Sequence, residues 1–74
     1  MSFRKCKIVE LVPGKTSMVR KRLEGGGGPT DPDLLCGNCG EVLVTNSRRG
    51  LVYPMVITCF ACGRVNDLND TTEA

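Results

Sequence analysis

The sequence predicts a small, mostly β fold that depends on a bound metal for its stability, and three observations carry that expectation. The chain has 74 residues, a length at which folding buries only about 60% of the surface that the unfolded chain exposes. Aromatic residues make up 4% of it, with two Phe, one Tyr and no Trp, so the side chains that usually fill a small core are scarce and another staple is needed. Five cysteines are present, four of them in two C-x-x-C pairs. No segment sustains the 3.6-residue apolar period of an amphipathic helix.

Residues 1–24 are basic and rich in β-branched side chains. Residues 7–12 and 17–23 are β-prone and Pro13-Gly14 marks a turn between them, so an N-terminal β-hairpin or strand extension is expected. L-proline cannot supply the positive φ of a tight two-residue hairpin loop, which points to a loop of residues 13–16. That register sets Lys7 opposite Arg22 and Val9 opposite Arg20. Like charges directly opposite destabilise a ladder, so an acidic surface is expected nearby: nucleic-acid phosphate, the acidic half of the same chain, or that of a second copy. Residues 25–33, GGGGPTDPD, have linker and turn composition. Consecutive glycines suit a flexible tether or a place where backbones pack closely.

Residues 34–68 carry the strongest signal. Cys36-Gly37-Asn38-Cys39-Gly40 is followed by Cys59-Phe60-Ala61-Cys62-Gly63, with 19 residues between Cys39 and Cys59, and two C-x-x-C pairs about 15–20 residues apart read as a zinc site. Two residues between cysteines let a tight turn aim both sulfurs at one point about 2.3 Å away, and two such turns complete a tetrahedron around one Zn²⁺. A glycine after each pair takes positive φ without steric cost and lets backbone N–H groups point at the sulfurs. Between the pairs, residues 41–45 and 51–58 are β-prone and residues 46–50 have turn chemistry. Pro54 interrupts the second run, which places it on an edge or starts the strand at Met55. Residues 34–35 lead into the first pair and residues 64–68 leave the second as a strand. The expected core is Leu34 or Leu35 with Val42, Val44, Ile57 and Val65. Residues 69–74 are polar and expected to fray.

The two knuckles resemble the zinc-ribbon superfamily, in which two CxxC(G) turns are joined by short antiparallel strands. The resemblance covers residues 34–68 and implies one structural Zn²⁺ on Cys36, Cys39, Cys59 and Cys62; it is specific for the metal and the local fold, not for a function. Rubredoxin-type electron carriers also hold one iron on two such knuckles, and four sulfurs in a tetrahedron suit either metal. Their aromatic-rich core and wider knuckle spacing make iron the remote alternative. Neither pair sits in the βαβ context of a dithiol redox motif.

Four thiolates close a zinc's coordination sphere and weaken it as a Lewis acid. The chain has no His, the usual general base, and its carboxylates are scattered, so neither an enzyme nor a small-molecule substrate is expected. The amino terminus lacks the roughly 7–15 residue apolar run of a secretory signal, and no stretch reaches the roughly 20 apolar residues of a membrane span. The expectation is a cytoplasmic protein with reduced thiols and no membrane partner. Cys6 reads as a buried small hydrophobe or as a reactive thiol made acidic by Arg4, Lys5 and Lys7.

Charge divides the chain. Residues 1–24 carry a formal +5 and residues 25–74 a formal −3, and four thiolates with one Zn²⁺ bring a further −2 to the second part. The candidate contacts for nucleic acid or an acidic partner are Arg4, Lys5, Lys7, Arg20, Lys21 and Arg22, with Arg48 and Arg49 at the expected ribbon tip. A near-neutral metal-loaded chain with only Phe3, Tyr53 and Phe60 to stack on bases favours a binding or adaptor module that works through protein contacts or self-association. Nucleic-acid binding is the alternative.

Overall fold

Each C-x-x-C pair sits at the turn of an antiparallel hairpin, as the resemblance to zinc ribbons implies. A computed structural model describes residues 3–74. Its strands are β1 (Phe3–Val9), β2 (Thr16–Met18), β3 (Leu23–Glu24), β4 (Asp33–Leu35), β5 (Val42–Thr45), β6 (Val56–Thr58) and β7 (Val65–Glu73). The first knuckle joins β4 to β5 and the second joins β6 to β7. All seven strands form one sheet in the order β2-β6-β7-β1-β4-β5-β3. Among the described residues no helix is long and apolar enough to cross a membrane.

The basic N-terminal segment enters the sheet as separate strands and not as a hairpin. β1 lies at the centre, parallel to β4 on one side and antiparallel to β7 on the other. Lys7 therefore faces Asp67 and Val9 faces Val65, where the sequence had set them opposite Arg22 and Arg20. The physical reason is legible in the alternation of β1: Lys5 and Lys7 are exposed while Cys6 between them is buried and Ile8 half-buried. A two-stranded hairpin buries little, whereas the central position covers this apolar face and replaces like-charge neighbours by an acid. The Pro13-Gly14 turn does form, with Lys15 N–H donating to the Val12 carbonyl at 3.0 Å, but it delivers β2 to β6 as a parallel partner. β3 likewise pairs in parallel with β5.

Chain connectivity requires the sheet to curl. Seven strands about 4.8 Å apart would hold the outer two about 29 Å from each other if the sheet were flat. Those outer strands, β2 and β3, are joined by residues 19–22 alone, which span at most about 18 Å. The result is a half-barrel whose open side is bridged by Val19, Arg20, Lys21 and Arg22.

Cys6, Leu34, Cys36, Leu43, Val44, Ile57, Cys59 and Leu68 form the core, with Ile8, Val19, Leu23, Tyr53 and Cys62 packed against it. Leu34, Val44 and Ile57 are buried as expected, whereas Val42 and Val65 are only half-buried. Leu43 takes Val42's place because β5 carries an extra residue: Leu34 pairs with Val44 but Leu35 pairs with Val42. A bulge breaks the strict alternation that a regular strand imposes and re-aims the side chain at it.

Of the two readings of the glycine run, close backbone packing holds and the free tether does not, since Gly25 N–H donates to Thr45 O and Gly27 N–H to Asn46 O, each at 2.8 Å. These backbones pack closely, and a Cβ on Gly25 would lie 2.6 Å from Asn46 O. The polar tail does not fray after residue 68, because β7 runs to Glu73 and Thr71, Thr72 and Glu73 pair with Cys6, Lys5 and Arg4. Backbone pairing with a central strand holds it where side-chain polarity alone would release it.

Candidate metal centre

The two knuckles are built alike. In the first, Cys36 N–H donates to Glu41 O at 2.8 Å and Gly40 N–H to Cys36 O at 3.0 Å; in the second, Cys59 N–H donates to Arg64 O at 2.8 Å and Gly63 N–H to Cys59 O at 2.9 Å. Gly40 and Gly63 have φ of 79° and 80°, the left-handed conformation that costs an L side chain about 1–2 kcal/mol and a glycine almost nothing. Asn38 N–H points at Cys36 Sγ and Ala61 N–H at Cys59 Sγ, each at 3.4 Å. Turns with N–H groups aimed at their own sulfurs stabilise thiolate charge.

Between the knuckles the four sulfurs meet. The Sγ atoms of Cys36, Cys39, Cys59 and Cys62 all lie within 4.8 Å of one another, with Cys36 3.5 Å from Cys62 and Cys39 3.6 Å from Cys59. A disulfide needs about 2.05 Å, so these are free thiols. A tetrahedron with metal–sulfur bonds of about 2.3 Å has sulfur–sulfur edges of about 3.8 Å, which these separations approach. Cys36 and Cys59 are buried, Cys62 is half-buried and Cys39 is exposed. The four residues that the sequence singles out are brought together as one cluster of the zinc-knuckle type.

The thiols compete for protons in a way that calls for a cation. The backbone N–H of Arg64, followed by Asn38, holds Cys62 down at about 6. At Cys39 the N–H of Glu41 pulls the same way, but desolvation and the neighbouring cysteines outweigh it and leave the thiol up at about 12. Burial pushes Cys59 up as well. Four sulfurs this close cannot all ionise unless a positive charge sits among them.

Asn66, on β7, is a site residue that the sequence reading passed over. It is fully buried, accepts the Gly37 N–H at 2.9 Å through Oδ1 and donates through Nδ2 to Arg64 O at 3.2 Å, with Cys36 Sγ at 3.5 Å. The available signal was a polar residue in a strand-forming stretch two positions after Arg64. Gly37 is the other: a Cβ there would run into the Cys6 carbonyl of β1, so glycine lets the first knuckle seat against the central strand.

Cys6 lies in the core outside the four-sulfur cluster. Burial, with Cys36 and Asp67 adding to it, pushes its thiol up to about 12. The buried-hydrophobe reading holds, and the acidic-thiol reading is corrected, because losing water outweighs the exposed lysines that flank it.

The candidate cations separate into groups. Arg20 lies with Cys59 and Phe60 around one groove, and Arg22 reaches Glu41 at 3.9 Å, so the basic bridge of residues 19–22 crosses the sheet at its cysteine end. Lys7 pairs with Asp70 at 3.7 Å; the acidic half of the same chain thus serves these two cations. Arg48 and Arg49 are not at a ribbon tip, because β5 and β6 on either side of them do not pair; with Arg4 they gather at the other end, lining one cavity. Lys5, on β1, is exposed, and Lys21 is exposed within the bridge. A scan of protein-family models, a search of curated proteins and a search of solved structures each found no match to this chain.

Proposed function

We propose that this chain is a zinc-stapled, non-catalytic binding module, with one Zn²⁺ held by Cys36, Cys39, Cys59 and Cys62. The observation that carries the reading is the four-sulfur cluster, all within 4.8 Å, set on two matching knuckles. Four thiolates leave no open position for water or substrate, which supports a structural role and not a catalytic one. A site of reduced thiols suits a reducing compartment such as the cytoplasm. Metal analysis of the purified chain is the test: one zinc per chain and no visible absorption are expected, while stoichiometric iron with thiolate-to-iron absorption, or a fold retained without metal, would overturn it.

Protein contact is the first partner reading. Self-association through β1 has no support, since that strand is paired on both sides. The edges left are β2 and β3, of three and two residues, with Met18 78% exposed. Edges this short are poor templates for strand addition. Nucleic-acid contact is the second reading, and the convergence of Arg4, Arg48 and Arg49 on one cavity supports it.

A further inference from the structure

We propose that a single-stranded nucleic acid lies along the groove at the end of the sheet away from the cysteines, with its phosphates on Arg4, Arg48 and Arg49. The proposal rests on reading the chain as a zinc-stapled binding module and names the partner class of that module.

Two adjoining cavities of about 440 and 430 Å³ make the groove, and Arg4, Pro32 and Arg49 belong to the walls of both. Arg4 comes from the start of β1, on the same face of the strand as the buried Cys6. Its Nε donates to Thr71 Oγ1 at 2.8 Å and a terminal nitrogen donates to Thr71 O at 3.0 Å. The guanidinium is thereby held in place with no ion pair to a carboxylate among the described residues, and Glu73, its partner across the ladder, is the one carboxylate on the wall of the second cavity. Arg48 also has no acidic partner among them. Arg49 meets Asp31 only at 3.9 Å and is itself 88% exposed, a pair worth little that a phosphate readily replaces. A fixed guanidinium with free N–H groups beside two exposed ones matches phosphate oxygens along a backbone.

Bases have surfaces to meet as well. Tyr53 lines one cavity beside the exposed Leu51 and Val52, and Phe3 lines the other. Tyr53 is rigidly placed: its hydroxyl shares a hydrogen bond with Ser47 at 2.9 Å, and its backbone N–H and carbonyl both bond the Asn69 side chain. Cations interleaved with aromatics bind unstacked bases with little sequence preference. No helix is present among the described residues to enter a major groove, which favours a single strand over a duplex. An acidic peptide would satisfy the arginines but leave the aromatic surfaces without planar partners.

The test is fluorescence anisotropy with the full, zinc-loaded chain and labelled oligouridine, oligothymidine and duplex DNA, each about 12 nucleotides long. Both single strands should bind more tightly than the duplex. With three phosphate contacts, affinity should fall about 20-fold between about 50 and 200 mM salt, and in R48A/R49A that fall should shrink to about threefold. R48A/R49A should weaken binding at low salt by about tenfold or more, while R20A/K21A, at the cysteine end, should stay within about twofold of the parent. Equal loss in R20A/K21A, tighter binding of the duplex, or displacement of the oligonucleotide by polyglutamate at equal charge would overturn the proposal, the last pointing to an acidic protein. Zinc content and circular dichroism of the same samples separate the two readings: a folded, zinc-loaded chain that binds no oligonucleotide at low salt overturns the groove and leaves the metal centre standing.

Discussion

Asn66 grips the first knuckle from the second hairpin: its Oδ1 accepts the Gly37 N–H at 2.9 Å while its Nδ2 lies 3.5 Å from Cys36 Sγ. The two hairpins share no backbone ladder with each other, since β1 separates β7 from β4, so this side chain is a direct polar tie between them. It orients a candidate ligand that it does not replace, the part played by hydrogen-bonding partners around metal ligands in general. Asn66→Leu keeps the branched outline but leaves the half-buried Gly37 N–H without its acceptor, an expected loss of about 1–3 kcal/mol in stability. Zinc affinity, measured by competition with a chelating dye, should fall about 10–100-fold. Unchanged affinity would remove Asn66 from the site.

Gly37 and Gly40 belong to the same five-residue knuckle yet answer to different constraints. Gly40 needs its positive φ of 79° but has open space where a Cβ would point, so Gly40→Ala should cost about 1–2 kcal/mol through backbone strain. Gly37 has no room, because the Cys6 carbonyl occupies the position and is backbone that cannot swing aside. Gly37→Ala should therefore be the more damaging substitution, by about 1 kcal/mol or more, through displacement of the knuckle from β1. Urea unfolding of both zinc-loaded variants ranks them directly, and the reverse order would refute the close-packing account.

The cysteine cluster and its hairpins were legible because their information is local. C-x-x-C-G specifies a turn whatever surrounds it, and the β-prone runs on either side pair with their own neighbours. What lay beyond the sequence was partner choice among strands distant along the chain. Pro13-Gly14 marks a real turn, but a turn does not say which strand receives the chain after it; here β2 joins β6, about 40 residues away. Leu43 was hidden by a bulge, which period-two reasoning cannot place. Asn66 was hidden because polarity in a strand reads as solvent-facing, and only the folded knuckle supplies the donors and acceptors that make its burial favourable.

Metal removal should unfold the sheet as a unit. Structural zinc contributes about 10–16 kcal/mol of apparent binding free energy in small finger peptides, more than a core of eight buried residues in so short a chain supplies alone. A chelator of sufficient strength should abolish the β circular-dichroism signal along with the zinc, and restoring zinc under reducing conditions should return it. Acid should act in the same direction, since each proton taken up by a thiolate opposes the metal, so zinc affinity falls as pH falls. Near-native β structure after verified metal loss would show that the sheet stands without the staple.

Cys6 should behave as part of the core and not as a reagent. Its thiol rises from the ordinary 9.0 to about 12 on burial, which leaves about a thousandfold less thiolate in the folded chain than in the unfolded one at neutral pH. Because the folded state holds its proton more tightly, the contribution of this group to stability is complete below the unfolded value near 9 and is lost as pH rises through about 12. Brief iodoacetamide treatment of the zinc-loaded chain at neutral pH should leave Cys6 unmodified by peptide mass spectrometry, whereas denaturant with chelator should expose it to labelling along with the other four. Rapid labelling of Cys6 in the folded chain would place this thiol at an accessible surface and contradict its 3% exposure.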